Sequence, residues 1–114
     1  MRHARLLTDD GHELARVEMA ETARERARGL LGRSSLPQGQ SMWLAPCRSI
    51  HTIGMRFAID VAFCDTEGVV VKTVQLAPWR LSPYVHRSAF VIEAQSGAFD
   101  RWRLRAGDRV ELRA

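Results

Sequence analysis

Apolar and polar residues alternate along most of this chain with a period of two. Phe57, Ile59, Val61 and Phe63 fall on one side of an extended segment, with Ala58, Asp60, Ala62 and Cys64 on the other. Ala15, Val17 and Met19 alternate with Arg16 and Glu18, giving a strand with one wet face, as antiparallel sheets have. Asp9-Asp10-Gly11 reads as a hairpin turn joining Arg5–Thr8 to Glu13–Ala20, and Asp65-Thr66-Glu67-Gly68 turns into the β-branched run Val69–Leu76. Shorter strands are expected at Ser41–Leu44, Ala89–Ala94 and Arg109–Leu112, the last entered through Ala106-Gly107-Asp108.

One stretch departs from period two. Thr22-Ala-Arg-Glu25 is a capping box, and Ala23, Ala27, Leu30 and Leu31 then share one helical stripe. Gly32 supplies a terminator and Gly29 weakens the last turn, so a short helix is expected over about residues 22–31. Gly97–Trp102 has room for one further helical turn. Strands that do not alternate with helices argue against a parallel α/β sheet. The expected fold is mainly β: a compact antiparallel β-sandwich, or a jelly-roll-like, partly open barrel, with one short α-helix.

With 114 residues the chain is expected to form a single domain, 1–114, able to bury a core without disulfides or metal. The opening Met1-Arg-His-Ala-Arg-Leu-Leu-Thr has no apolar leader region, and no apolar run approaches a membrane span. A cytoplasmic protein with no membrane partner is the expectation. The net charge of +4 comes from arginine almost alone, Lys72 being the single lysine, and the arginines are scattered among thirteen acids. That argues for a solvated surface over nucleic-acid binding, although Arg101, Arg103 and Arg105 would line one side of an extended segment.

The two cysteines, Cys47 and Cys64, make no disulfide framework, and the four histidines lack metal-ligand spacing. His51, Asp60 and Glu93 could form a metal group only by converging in space. No P-loop or dinucleotide fingerprint is present, and no cofactor is expected.

Candidate chemistry concentrates between Pro46 and Asp60, where a polar loop around Gly54 feeds the central strand. Asp60 sits among small side chains and needs a partner, either an arginine (Arg48, Arg56 or Arg80) or backbone donors of the His51–Gly54 loop. His51 has the densest polar neighbourhood of the four histidines. The proline-punctuated segment Pro78–Arg87 brings Trp79, Arg80 and Tyr84. Fixed guanidinium forks beside aromatic rings suit an anionic small molecule or a peptide carboxyl group. The leading reading is a binding module, its site made of Cys47, Arg48, His51, Thr52, Arg56 and Asp60 facing Arg80 and Tyr84. The alternative is a hydrolase or transferase using His51 with Cys47 or Ser49 and Asp60; a further one is nucleic-acid binding through the arginine surface.

Arg28-Gly-Leu-Leu-Gly-Arg33, Leu36-Pro37, Ile59-Asp60-Val61-Ala62-Phe63, Gly68-Val69-Val70 and Ala106-Gly107-Asp108-Arg109 resemble a family of small bacterial and archaeal proteins known as domain of unknown function one-nine-two. The resemblance spans about Met19–Leu112 and implies a single-domain, mainly β, jelly-roll-like fold, with no established activity, cofactor or catalytic residue. The commonest form of that family carries Trp-Met-Lys-Asn-Thr where this chain has His51-Thr-Ile-Gly-Met55, so the loop that would hold a site is this chain's own.

Overall fold

In the computed structural model, which describes residues 1–114, the turn signals of the sequence become two antiparallel hairpins. Strands β1 (Arg2–Thr8) and β2 (Glu13–Ala20) pair across the first turn, and β4 (Ile59–Cys64) and β5 (Val70–Leu76) across the second. The second turn is held by the Asp65 carboxylate, which accepts from the amides of Glu67 and Val69. Gly68 there has φ +84°, and a Cβ would collide with the Val110 carbonyl oxygen, so no other residue fits.

Between the hairpins lie helix α1 (Ala23–Arg28) and β3 (Gln40–Leu44); β6 (Phe90–Gln95), helix α2 (Ala98–Trp102) and β7 (Val110–Arg113) follow. All seven strands join one sheet in the order β5-β4-β6-β3-β2-β1-β7. The sheet is mainly antiparallel, with one exception: β2 and β3 run parallel, because the chain crosses back through α1 before re-entering the sheet. The outermost strands meet at one end. Val69 and Arg109 form a bridge, and the amides of Val70 and Val110 donate to the carbonyls of Asp108 and Gly68. The result is the partly open barrel among the expected forms, made from one curled sheet.

Its two faces bury separate cores. Inside the curl, Leu6, Val17, Ala62, Cys64 and Ile92 pack with Phe99 and Leu104 from around α2. On the outer face, Met42, Leu44, Ile59, Val61, Phe63 and Val91 are covered by Leu30, Leu36 and Met55. Every residue of β4 is buried, as expected of a strand covered on both sides.

The capping box forms: the Thr22 hydroxyl accepts from the Glu25 amide, and the Glu25 carboxylate from the Thr22 amide. The helix is nevertheless shorter than 22–31. Gly29 is its C-cap, at φ +45°, so Leu30 and Leu31 lie beyond the helix in the following turn. The glycine that weakens the last turn ends the helix, and Gly32, also at positive φ, turns the chain again. No helix is long and apolar enough to cross a membrane.

Candidate functional site

The Pro46–Gly54 and Trp79–Arg87 segments meet, side by side. His51 and Leu81 form a bridge; Thr52 donates its amide to the Arg80 carbonyl and accepts from the Trp79 amide. Ser82 and Val85 continue the pairing by donating to the carbonyls of Ile50 and Arg48. Thr52 locks this ladder to the sheet. It is fully buried, its hydroxyl donates to the Ala77 carbonyl at 2.6 Å, and it accepts from the Arg80 amide at 2.9 Å. Thr52 is therefore a bolt between the loops, facing inward.

Because the two segments are zipped laterally, the cleft is made with a different wall. About 460 Å³ opens between the paired loops and the region of α1. One side carries Pro46, Cys47, Arg48, Ser49, His51 and Tyr84; the other carries Arg26, Arg28 and Leu31. Of the residues expected at a site, Cys47, Arg48, His51 and Tyr84 line this cleft, while Thr52, Arg56, Asp60 and Arg80 do not.

Asp60 lies on the inner face of the sheet. Its carboxylate accepts hydrogen bonds from the amides of Gly97 and Phe99, both at 3.0 Å, and from the Gln75 side chain at 3.3 Å. Its partners are thus backbone donors at the start of α2, where an arginine or the His51–Gly54 loop was expected. The alternation of β4 decides this: Ile59 and Val61 face the outer core, so Asp60 must face the interior.

The residue at the base of the cleft is Glu93. It stands on β6 between Met42 of β3 and Val61 of β4, and is 4% exposed. Burial alone pushes its carboxyl up to about 7; no hydrogen bond or neighbouring cation offsets the loss of water. Nearby, burial pushes the Cys47 thiol up as well, and the thiol donates to the Ser49 carbonyl. The guanidinium of Arg26 is held by the carbonyls of Glu21 and Ala45. Arg28 is exposed and forms no ion pair; Arg48 spends only its Nε–H, on the His86 carbonyl. The His51 Nδ1 accepts from the Ile53 amide, which leaves the proton of the neutral ring on Nε2.

The Cys47, His51 and Asp60 grouping is not assembled, since Asp60 is engaged on the far side of the sheet. Nor do three His, Cys, Asp or Glu side chains gather anywhere as a metal group would require. Sequence reasoning missed Arg26 and Arg28 as cleft residues and gave Glu93 no place among the candidate binding residues. The signal for Glu93 was present: a lone acid in an otherwise apolar strand.

Comparison with known proteins agrees with this architecture. The model of the DUF192 family, described as Uncharacterized ACR, matches residues 5–112. A UPF0127 protein of Pyrococcus abyssi is 34% identical over 103 residues, covering 84% of this chain and 85% of the relative. A UPF0127 protein of Pyrococcus horikoshii is 29% identical over 100 residues, covering 83% and 85%. Among solved structures, a provisional transcription regulator of Sinorhizobium meliloti superposes with a TM-score of 0.80 at 23% identity, over 96% of this chain and 92% of that one. A protein of unknown function from Novosphingobium aromaticivorans gives 0.82, also at 23% identity, over 96% and 83%. At that identity the two structures speak for the fold alone. The family match, covering nearly the whole chain, goes further: this chain belongs to the DUF192 family.

Proposed function

We propose that the protein is a binding module for a small polar molecule with an anionic end, taken up in the cleft between α1 and the Cys47–His51 segment. The observation that carries this reading is Glu93. A carboxyl sunk to 4% exposure with no hydrogen bond from the protein costs stability, reaches water only through the cleft, and does nothing for the packing that an apolar residue between Met42 and Val61 would not do better. Groups of this kind cluster at sites where a ligand supplies the missing partner.

The rest of the cleft suits such a ligand. The free N–H groups of Arg28 and Arg48 at the mouth match a carboxylate or phosphate. Glu93, titrating near neutrality, exchanges a hydrogen bond with a hydroxyl or amine at the inner end. The volume is in the range of metabolite-sized sites. A peptide C-terminus carries the same anionic chemistry. The hydrolase alternative has less support, because the Cys47 thiol is held in its neutral form and Asp60 is not there to orient His51.

A thermal-shift screen against anionic metabolites and short peptides tests the reading, with Glu93→Gln and Arg28→Ala/Arg48→Ala run beside the native sequence. A ligand bound to the folded state raises the midpoint by mass action. The expected result is a hit whose shift is lost in the arginine double variant and reduced in Glu93→Gln. A hit untouched by either variant would place binding elsewhere, and flat midpoints throughout would sink the small-molecule reading.

A further inference from the structure

The paired loops present, beside the cleft, exposed apolar side chains that the binding reading does not use. Thr52 faces inward, so its neighbours in the ladder face out. Ile53, Trp79, Leu81 and Tyr84 are 43%, 64%, 72% and 66% exposed. Of these only Tyr84 borders the main cleft. Trp79 is held at φ +63°, a conformation unfavourable for a bulky residue, and the hydrogen bond from its amide to Thr52 fixes it there. Four large apolar side chains are thus exposed on one braced loop pair.

The charge around them has one sign. Residues 46–59 and 77–92 contain no acid, while Arg48, Arg56, Arg80 and Arg87 are all exposed. None of the four takes part in any of the ion pairs of the protein, which lie elsewhere. A second copy of this surface would be repelled, so its complement is anionic.

We infer that the loop pair 48–55 and 79–87 is a peripheral docking face for an anionic lipid bilayer. Two observations favour a bilayer over other anionic partners. The most exposed apolar residue is aliphatic, Leu81, accompanied by Ile53. Nucleic-acid bases reward planar rings, whereas an interface takes aliphatic and aromatic side chains alike. Exposed apolar side chains interspersed with arginine along the same loops are also the composition that joins partial insertion to attraction for anionic headgroups. The sequence expectation of no membrane partner rested on spanning segments, which docking does not require.

Co-sedimentation of the full chain with vesicles tests this, using phosphatidylcholine alone and phosphatidylcholine mixed with phosphatidylserine. Binding is expected to the mixed vesicles only, and to weaken with added salt. Trp79→Ser/Leu81→Ser should reduce it roughly tenfold or more, since each side chain loses its apolar burial. Both positions are exposed, so the variant is expected to fold, with circular dichroism as the check. No sedimentation with mixed vesicles would overturn the proposal, as would sedimentation that the double variant leaves unchanged. Tighter binding to an acidic peptide or a single-stranded oligonucleotide than to the vesicles would overturn it in favour of that partner.

Discussion

Two carboxylates are sunk into the same sheet on neighbouring strands, and the fold treats them in opposite ways. Asp60 pairs in register with Ala94, and Glu93 with Val61, so the two acids stand one residue apart on opposite faces. Asp60 receives two backbone amides and a glutamine side chain. Glu93 receives nothing from the protein, and its carboxyl is pushed up to about 7 as a consequence. Burial is nearly equal, 6% and 4% exposure, so burial alone does not separate a structural acid from a candidate binding group. What separates them is the account of hydrogen-bond partners.

The largest effect expected of any substitution here is at Asp60. Asp60→Ala would strand the amides of Gly97 and Phe99, one of them deeply buried, and should cost about 4 kcal/mol in urea unfolding. A loss below about 1 kcal/mol would mean that water replaces the carboxylate, and the contrast with Glu93 would fail.

Glu93 should respond with the opposite sign. The native state holds its proton up to about 7, whereas an unfolded glutamate releases it near 4.5. The folded chain thus binds more protons between those values. The contribution of this group is fully present below the lower value and is lost as pH rises through the upper one. That loss is on the order of 3 kcal/mol by linkage. Glu93→Gln should remove this slope and stabilise the protein at pH above 7 by roughly 2 kcal/mol, the amide still having to be buried. A variant less stable than the native chain at high pH would reveal a partner for the carboxylate.

The smallest effect sharpens the cleft itself. With its thiol pushed up by burial, Cys47 should alkylate several-fold more slowly at neutral pH than a free cysteine peptide. Rapid alkylation would restore the nucleophile reading at the mouth of the cleft.

Much of the fold was legible in the sequence because it rests on local signals. Both hairpins stand where Asp9-Asp10-Gly11 and Asp65–Gly68 place them, and the capping box of Thr22 and Glu25 forms as read. The parallel pairing of β2 with β3 was not legible, since it depends on where the chain returns after α1 and no local pattern encodes that. The candidate site shows the same division. Cys47, Arg48 and His51 are neighbours in sequence and stay together at the cleft. Arg28 and Glu93 reach it only through the closure of the sheet and the crossover. The alternation in β4 already assigned Asp60 to the face away from Ile59 and Val61; only the assumption that a polar loop and a polar side chain belong together set it in the site.

Helix α1 buries none of its own side chains. It is held by its capping box, by the contacts of Arg26 to Glu21 and Ala45, and by Leu30 just beyond its end. The base of the cleft is thus a sheet strand locked by long-range pairing, while one of its walls rests on a six-residue helix tethered at its ends. Local opening of such a helix requires little loss of apolar contact and leaves the barrel intact. The cleft can therefore change width on one side while Glu93 stays fixed; on the binding reading proposed above, a single site would admit ligands of different girth that share one polar end.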